Sequence, residues 1–190
     1  MKRMNTPSSP TLRIHATIKH SKVNGPGVRA VIWLQGCPLR CKGCFNTELI
    51  DLKGGRDISV TELFEWIASI KDIEGLTLSG GEPTEQMPPL LNLLREVRCK
   101  TGLSIILFSG RTLEEILNLS LGNDLATLID ILIDGRYDNT QKHPPGEWPS
   151  SANQKIHFFT PRYSLADFYN LPFFETWITE KGEIIESGFI

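Results

Sequence analysis

The chain has 190 residues, of which 40% are hydrophobic and 22% charged, and its formal net charge at pH 7 is −2. This length is typical of one globular domain, and the near-neutral charge argues against a nucleic-acid-binding protein, which usually carries a basic face. The longest apolar run, residues 30–34, is far shorter than the roughly 20 residues that cross a membrane. The first ten residues have no apolar core, so we expect no signal peptide and no membrane partner. We predict a cytoplasmic protein with a flexible leader over residues 1–10 and a single domain over residues 11–190.

Apolar runs that stop at small or polar residues predict four buried strands, at residues 28–34, 75–78, 103–108 and 131–133. Between these runs, apolar residues at helical spacing predict helices that begin at Ser59, near Pro88, at Thr112 and near Asp124. The helices at Ser59 and Thr112 open with capping-box sequences. This alternation of strands and helices is typical of an α/β protein with a parallel sheet.

The two ends of the chain predict further strands. Weak alternation over residues 11–19 indicates an edge strand, residues 155–160 indicate a fifth core strand, and residues 175–189 indicate a hairpin that turns at Lys181-Gly182. Between them, the polar, proline-rich residues 136–153 indicate a long loop. A complete eight-fold barrel needs about 250 residues. We therefore expect an open partial (β/α) barrel with a C-terminal β-hairpin.

The four predicted core strands share one feature at their carboxyl ends. They stop at Gln35-Gly36-Cys37, Ser79-Gly80-Gly81, Ser109-Gly110 and Asp134-Gly135. A glycine after one strand is most often a simple turn. Functional sites of α/β proteins nevertheless form at the carboxyl ends of strands, and one of these ends carries three cysteines. The sequence therefore predicts a shared pocket at this edge of the sheet.

Three of the four cysteines, Cys37, Cys41 and Cys44, have the spacing C-x3-C-x2-C, whereas Cys99 lies alone in the predicted second helix. Such clustering favours metal binding over a disulfide framework. Three thiolates bind three irons of a cubane iron–sulfur cluster and leave the fourth iron open, whereas an electron-carrying cluster normally takes four cysteines. An open iron suggests a substrate or cofactor ligand. We expect Cys99 to be a buried helix residue outside the cluster.

A structural zinc site is the competing interpretation of these cysteines. It would take its fourth ligand from His15, His20, His143 or His157. Zinc ligands usually come as two spaced pairs, and the sequence has no such pair of histidines. The iron–sulfur interpretation is therefore favoured, and the histidines are expected to be ordinary surface or strand residues.

Three segments resemble the radical SAM superfamily. Residues 25–29 read Gly-Pro-Gly-Val-Arg, residues 35–46 read Gln-Gly-Cys-Pro-Leu-Arg-Cys-Lys-Gly-Cys-Phe-Asn, and residues 78–83 read Leu-Ser-Gly-Gly-Glu-Pro. Within the superfamily, the chain is most similar to the activating enzymes of glycyl-radical proteins. Residues 133–135 and 150–154 further resemble the subgroup that activates anaerobic ribonucleotide reductase. The chain departs from that subgroup at Asn24, where the activases usually have Asp, in residues 148–154, and in its longer tail after Thr160.

The resemblance implies two cofactors and a set of site residues. Cys37, Cys41 and Cys44 would hold a [4Fe-4S] cluster whose open iron binds S-adenosylmethionine. The turn after the second core strand would offer hydrogen-bond acceptors to the ammonium group of S-adenosylmethionine, because an ammonium group can only donate hydrogen bonds. The residues of this turn are Gly80, Gly81, Glu82 and Pro83. Further candidate contacts are Phe45 over the cluster or adenine, and Asn46 and Ser109 at ribose or adenine.

The resemblance also implies the reaction, an oxidoreductase chemistry of anaerobic metabolism. The reduced cluster would cleave S-adenosylmethionine to a 5′-deoxyadenosyl radical, which would install a glycyl radical on a partner such as anaerobic ribonucleotide reductase. The expected electron donor is a flavodoxin or a ferredoxin, and no nucleic acid is expected to bind. The first alternative is a stand-alone radical SAM enzyme that modifies a peptide or small molecule, with the C-terminal tail closing its pocket. The second is a non-catalytic iron–sulfur or zinc binding module.

Overall fold

A computed structural model of the protein describes residues 9–178, 182 and 184–188. Seven strands form one mixed sheet in the order β3-β1-β2-β4-β5-β6-β7. Their bounds are β1 Thr11–Ser21, β2 Arg29–Leu34, β3 Arg56–Ser59, β4 Gly75–Gly80, β5 Ser104–Ser109, β6 Ile131–Asp134 and β7 Lys155–Phe158. Two further strands, β8 Phe174–Ile178 and β9 Ile184–Gly188, form a separate antiparallel hairpin. The predicted hairpin is thus present, although its Lys181 and Phe189 lie outside the described residues.

Four α-helices connect the strands. They are α1 Val60–Ser69, α2 Met87–Lys100, α3 Leu113–Leu117 and α4 Gly122–Leu128. Short 3-10 helices occupy Thr47–Leu49, Pro83–Gln86, Asn139–Gln141 and Leu165–Phe168. The capping box of α3 is complete, whereas at α1 the structure shows its Ser59 half, in which the Ser59 hydroxyl accepts from the Glu62 N–H. None of the helices in the described ranges is long and apolar enough to cross a bilayer.

The sheet is parallel only at its centre. Strands β2, β4, β5 and β6 are parallel neighbours, while β1, β3 and β7 pair antiparallel. The prediction of an edge strand near residue 11 is wrong, because β3 pairs with residues 11–14 and is itself the edge. The sequence of β3, Arg-Asp-Ile-Ser, has one apolar residue and gives no strand pattern. The α/β class is confirmed, and the open partial barrel stays a prediction.

The predicted leader is partly attached to the fold. Its residues 1–8 lie outside the described part of the chain. The carbonyl of Pro10 accepts from the Val60 N–H at 2.9 Å, and the Ser9 hydroxyl lies 3.2 Å from that of Thr61. Residues 9 and 10 therefore pack against the start of α1.

The two faces of the sheet are covered differently. One face packs against α1, α2 and α4 through rows of fully buried aliphatic residues, such as Ile32, Leu78, Leu107 and Leu132. The opposite face is covered near β5 to β7 by a smaller cluster in which Phe168 packs with strand residues. This second face remains less covered towards the carboxyl ends of the parallel strands, which is where the candidate site lies.

A buried arginine ties together the amino-terminal ends of the central strands. All five donor positions of Arg29 are used: Nε donates to Thr77 Oγ1, Nη1 to the Pro26 carbonyl and Ser104 Oγ, and Nη2 to the Leu76 and Ser104 carbonyls, at 2.7–3.1 Å. Residue 75 is glycine because a Cβ there would lie 2.4 Å from Arg29 Nη2. Burial lowers the pKa of Arg29 to about 10, so the guanidinium stays protonated at neutral pH.

We predict that Arg29→Lys destabilises the protein by about 3 kcal/mol. An ammonium has three donors, so at least two of the five buried hydrogen bonds are lost. The matched control is Arg95→Lys, an exposed residue that pairs with Asp124 at 3.0 Å, and it should cost no more than about 0.5 kcal/mol. Urea denaturation followed by circular dichroism measures both. Equal costs for the two substitutions would contradict the role assigned to Arg29.

Candidate functional site

A cavity of about 270 Å³ lies at the carboxyl ends of β2, β4, β5 and β6 and remains open to solvent. Its floor is a row of residues in register across these strands, Trp33, Ser79, Phe108 and Ile133. The pocket predicted from the four strand ends is therefore present. It is lined by large apolar side chains below and by loop residues above.

Nine of the ten predicted site residues line this cavity. They are Cys37, Cys41, Cys44, Phe45, Asn46, Gly80, Gly81, Glu82 and Ser109. The tenth, Pro83, is buried at the start of the 3-10 helix that follows Glu82 and is not among the lining residues. The roles assigned to these residues stay predictions, but the fold brings nearly all of them to one place.

Backbone contacts join the turn after β4 to the segment that leaves β2. The Gly81 N–H donates to the Leu34 carbonyl, and the Glu82 N–H donates to the Gly36 carbonyl, both at 2.8 Å. A Cβ on Gly81 would lie 2.3 Å from the Gly36 oxygen, where no side chain fits. Because Gly36 directly precedes Cys37, this contact holds the cysteine loop against the turn.

The Glu82 carboxylate is fully buried and links this turn to the end of β5. Oε1 accepts from the Thr84 N–H at 3.1 Å, the Thr84 hydroxyl at 2.7 Å and the Ser109 hydroxyl at 2.8 Å. Oε2 accepts from the Gly110 N–H at 2.8 Å. A carboxylate offers about four acceptor positions, two on each oxygen. Oε2 accepts one hydrogen bond from the described residues and therefore keeps capacity for a second, and Glu82 is among the residues that line the cavity.

The Ser109 hydroxyl is held by this network. It donates to Glu82 and accepts from the Arg111 N–H at 3.0 Å. Its single proton is thus already used within the protein, and Ser109 can meet a ribose or adenine only as an acceptor. Asn46 lies at the start of the 3-10 helix 47–49 with its side chain beside the cavity.

The cysteine loop folds so that its three thiols line one side of the cavity. The Cys44 N–H donates to the Cys41 carbonyl at 3.2 Å, and Arg40 and Gly43 have φ angles of 50° and 78°. Burial raises the pKa of the Cys37 and Cys44 thiols, and the neighbouring Cys41 raises both further. The thiols are therefore close enough to interact, and metal binding would displace their protons.

The three cysteine thiols that line the cavity are the donor set that this loop offers to a metal centre. Within the described ranges, no three His, Cys, Asp or Glu side chains are gathered as the ligands of one metal ion. In a cubane cluster each thiolate binds a different iron, so the three sulfurs need not converge on one point. The four histidines considered as zinc ligands are not among the residues that line the cavity. The donor set therefore fits a three-cysteine iron–sulfur cluster.

The remaining cysteine differs from its prediction. Cys99 is exposed on α2, not buried, because it lies on the outer side of the helix between the inward-facing Val97 and the helix end. Helical spacing would have given this result, since Leu90, Leu94 and Val97 define the buried side. Cys99 lies in a helix that packs on the other face of the sheet, so it is not a fourth ligand from the cavity side.

Several lining residues were not predicted. Tyr137 contacts Phe45 edge-on, with ring centroids 5.2 Å apart, and both rings stand beside Cys44. Burial and the nearby Cys44 raise the pKa of Tyr137. Trp148 contacts Phe108 on the floor, and Gln154 donates to the Gly135 carbonyl at 3.0 Å. These residues come from the long loop, where isolated aromatic residues among polar ones were the available signal.

The C-terminal hairpin supplies one more wall of the cavity. Residues 186–188 line it, and the hairpin is fastened to the segment between β1 and β2. Glu175 accepts from the Ser21 hydroxyl and from the Lys22 N–H, and the Asn24 amide donates to Ser187 Oγ at 2.9 Å. The hairpin thus closes the side of the cavity next to Asn24.

Comparisons with known proteins find a family, several relatives and a solved structure to which this chain is similar. Residues 23–157 match the family described as a 4Fe-4S single cluster domain. The anaerobic ribonucleoside-triphosphate reductase-activating protein of Vibrio cholerae is 37% identical over 145 residues, 73% of this chain and 92% of that protein. The protein of the same name from Escherichia coli K12 is 30% identical and covers 71% of this chain and 91% of its own length. The solved structure of QueE from Escherichia coli covers 54% of both chains at 18% identity, with a TM-score of 0.43.

We predict that Gly81→Ala lowers both stability and the yield of cluster. The methyl group would push against the Gly36 carbonyl and displace the cysteine loop, at a cost of about 2–4 kcal/mol. Gly102→Ala is the matched control, because a Cβ there has nothing within 4 Å. Thermal unfolding, together with iron and sulfide assays after anaerobic reconstitution, measures both effects. A Gly81→Ala protein with normal stability and iron content would show that the close approach is not needed.

Proposed function

Since the chain belongs to the 4Fe-4S single cluster domain family and to the family of anaerobic ribonucleoside-triphosphate reductase-activating proteins, we propose that it installs a glycyl radical on an anaerobic ribonucleotide reductase. It is a radical SAM enzyme with a [4Fe-4S] cluster and S-adenosylmethionine as its cofactors. Together these groups supply one-electron chemistry that ends in abstraction of a hydrogen atom from carbon. The observation that carries the proposal is the meeting of three cysteines and the Gly-Gly-Glu turn in one open cavity.

Each part of the cavity has a task in this proposal. The three cysteines hold the cluster at the carboxyl ends of the parallel strands. Gly80 and Gly81 let backbone approach the cofactor closely, and Glu82 Oε2 offers an acceptor to its ammonium group. Because Glu82 is fixed by four hydrogen bonds, this acceptor is already oriented before the cofactor binds.

The apolar lining protects the reaction from water. Trp33, Phe108, Ile133 and Trp148 surround the lower part of the cavity, and Phe45 and Tyr137 stand beside the cysteine loop. A radical reacts with whatever it meets, so exclusion of water and a fixed position for the substrate carbon are what the protein must supply. Asn46 and Ser109 provide polar contacts at the rim for the nucleoside part of the cofactor.

The electron donor would approach the outer side of the cysteine loop. Arg40 and Lys42 are exposed there, on either side of Cys41. A small acidic protein such as a flavodoxin or ferredoxin is attracted by such a surface. We place this exchange in the cytoplasm, where these donors and the reductase occur together.

We predict that Cys37→Ala, Cys41→Ala and Cys44→Ala each abolish the cluster, because two thiolates remain in the loop. Cys99→Ala should keep the full content of about four irons and four sulfides per chain. The measurement is the iron and sulfide content and the visible absorption spectrum after anaerobic reconstitution. Loss of the cluster in the Cys99→Ala protein alone would show that the loop does not hold it by itself.

The function is tested by electron paramagnetic resonance. The reconstituted protein is mixed with S-adenosylmethionine, a reductant and the anaerobic ribonucleoside-triphosphate reductase of the same organism. We expect slow formation of 5′-deoxyadenosine without the reductase, faster formation with it, and a glycyl radical signal that the Cys41→Ala protein does not produce. Cleavage of the cofactor without any glycyl radical would favour the stand-alone enzyme instead. Absence of 5′-deoxyadenosine would favour a non-catalytic binding module.

A further inference from the structure

The C-terminal hairpin lies beyond residues 23–157, which match the cluster-domain family. The curated relatives are shorter than this chain, because 145 residues already make up 92% of the Vibrio cholerae protein. The hairpin nevertheless forms part of the cavity through residues 186–188. What it does is therefore not explained by the cluster chemistry that the family shares.

The hairpin is held in place by a polar latch, formed by Ser21, Asn24, Glu175 and Ser187. Ser21 is fully buried and donates its hydroxyl proton to Glu175. Towards Asn24 the hydroxyl oxygen therefore acts as an acceptor, and the Asn24 amide donates to it at 2.8 Å. The same amide nitrogen donates to Ser187 at 2.9 Å. An aspartate at position 24 would have no amide donor and would add a second carboxylate beside Glu175. The latch therefore requires the side-chain amide of Asn24.

The outer face of the hairpin is exposed and carries the apolar residues Phe174, Ile178 and Ile184, with the polar Thr176 and Glu186 between them. Residues at alternating positions of a strand share a face, so Phe174, Ile178 and Ile184 lie on the same side. Ile178 and Ile184 are cross-strand partners, and 74% and 67% of their surfaces are accessible. Adjacent aliphatic side chains that are this exposed are typical of surfaces that bind another molecule.

This face is continuous with the mouth of the cavity. Glu186 follows Ile184 on the same face of β9, about 7 Å further along the strand, and lines the cavity. A molecule that enters the cavity from this side and extends outward would therefore cover the isoleucine pair. A small substrate within the cavity would not reach it, whereas a polypeptide segment would.

We propose that the outer face of the hairpin, Phe174, Ile178 and Ile184, is the docking surface for the polypeptide that presents its glycine to the cavity. The inference rests on the proposed function. The segment that docks carries apolar residues beside the glycine and no carboxylate opposite Glu186, because like charges there would repel. A second copy of this chain is the competing occupant of this face, and a test for self-association distinguishes it from the polypeptide substrate.

The test uses the double variant Ile178→Asp, Ile184→Asp in the reconstituted holoenzyme. The control is Leu117→Asp, an exposed aliphatic residue on α3 that does not line the cavity. Glycyl radical formation is measured by electron paramagnetic resonance at increasing concentrations of the anaerobic ribonucleoside-triphosphate reductase. We expect the double variant to need about tenfold more reductase for half-maximal radical formation. The control should match the unmodified protein, and iron and sulfide contents should be equal in all three.

A second variant keeps the isoleucine pair and changes the latch at Asn24, which also lines the cavity. Asn24→Asp should loosen the latch. The backbone amide of Lys22, which donates to Glu175, should then exchange its hydrogen faster. Formation of the glycyl radical should again need a higher concentration of reductase. Asn92→Asp, at an exposed position of α2, is its control. Faster exchange at Lys22 with an unchanged requirement for reductase would overturn the proposal.

The outcomes separate this inference from the proposed function. If the unmodified protein forms glycyl radical and the double variant does so at the same reductase concentration, the docking surface is wrong and the function stands. If the unmodified protein forms no glycyl radical, the proposed function fails and the docking surface with it. A self-association of the unmodified protein that the double variant abolishes, seen by sedimentation, would assign the face to a second copy and overturn the proposal.

Discussion

The site depends on the close approach of two pieces of backbone. The chain leaving β2 and the chain leaving β4 exchange hydrogen bonds through Leu34, Gly36, Gly81 and Glu82, with no space for a side chain between them. Parallel pairing of β2 with β4 brings these segments side by side, and the glycines let them continue in contact beyond the sheet. The cysteine loop begins at the next residue after Gly36, so its position follows from this contact.

Two of the buried charged residues of the central sheet lie at opposite ends of its parallel strands. Arg29 lies at the amino-terminal ends and Glu82 at the carboxyl ends, and both are inaccessible to solvent. Neither relies on a direct salt bridge: Arg29 donates to hydroxyl and carbonyl oxygens, and Glu82 accepts from hydroxyl and amide groups. Buried charges are tolerated when hydrogen bonds replace the lost water, and here the same bonds connect neighbouring strands. Fixing the sheet at both ends makes the row of residues between them a rigid floor for the cavity.

The elements that were predicted most accurately from the sequence are the strands and helices whose positions depend on burial alone. The four parallel strands are continuous apolar runs, and α2 and α3 carry clear periodic or capping signals, so their positions agree with the structure. The exposed edge strand β3 was missed, because a strand with one buried residue has no pattern to recognise. At the site, the cysteines were found because their spacing is chemically specific, whereas the roles of Gly80, Gly81 and Glu82 came from the resemblance to the radical SAM superfamily. Tyr137, Trp148 and Gln154 were missed because their positions depend on how a long loop folds back over the sheet.

The attachment of the hairpin bears on how this chain diverged from shorter relatives. The described side chains of the two hydrophobic clusters come from residues 12–171, which precede β8. The hairpin joins that body through hydroxyl, amide and carboxylate groups, of which the Ser21 and Ser187 hydroxyls are buried. An appendage joined in this way can be acquired, exchanged or discarded in evolution without repacking the interior. A change in this one peripheral hairpin can thereby give the same catalytic domain a different protein substrate.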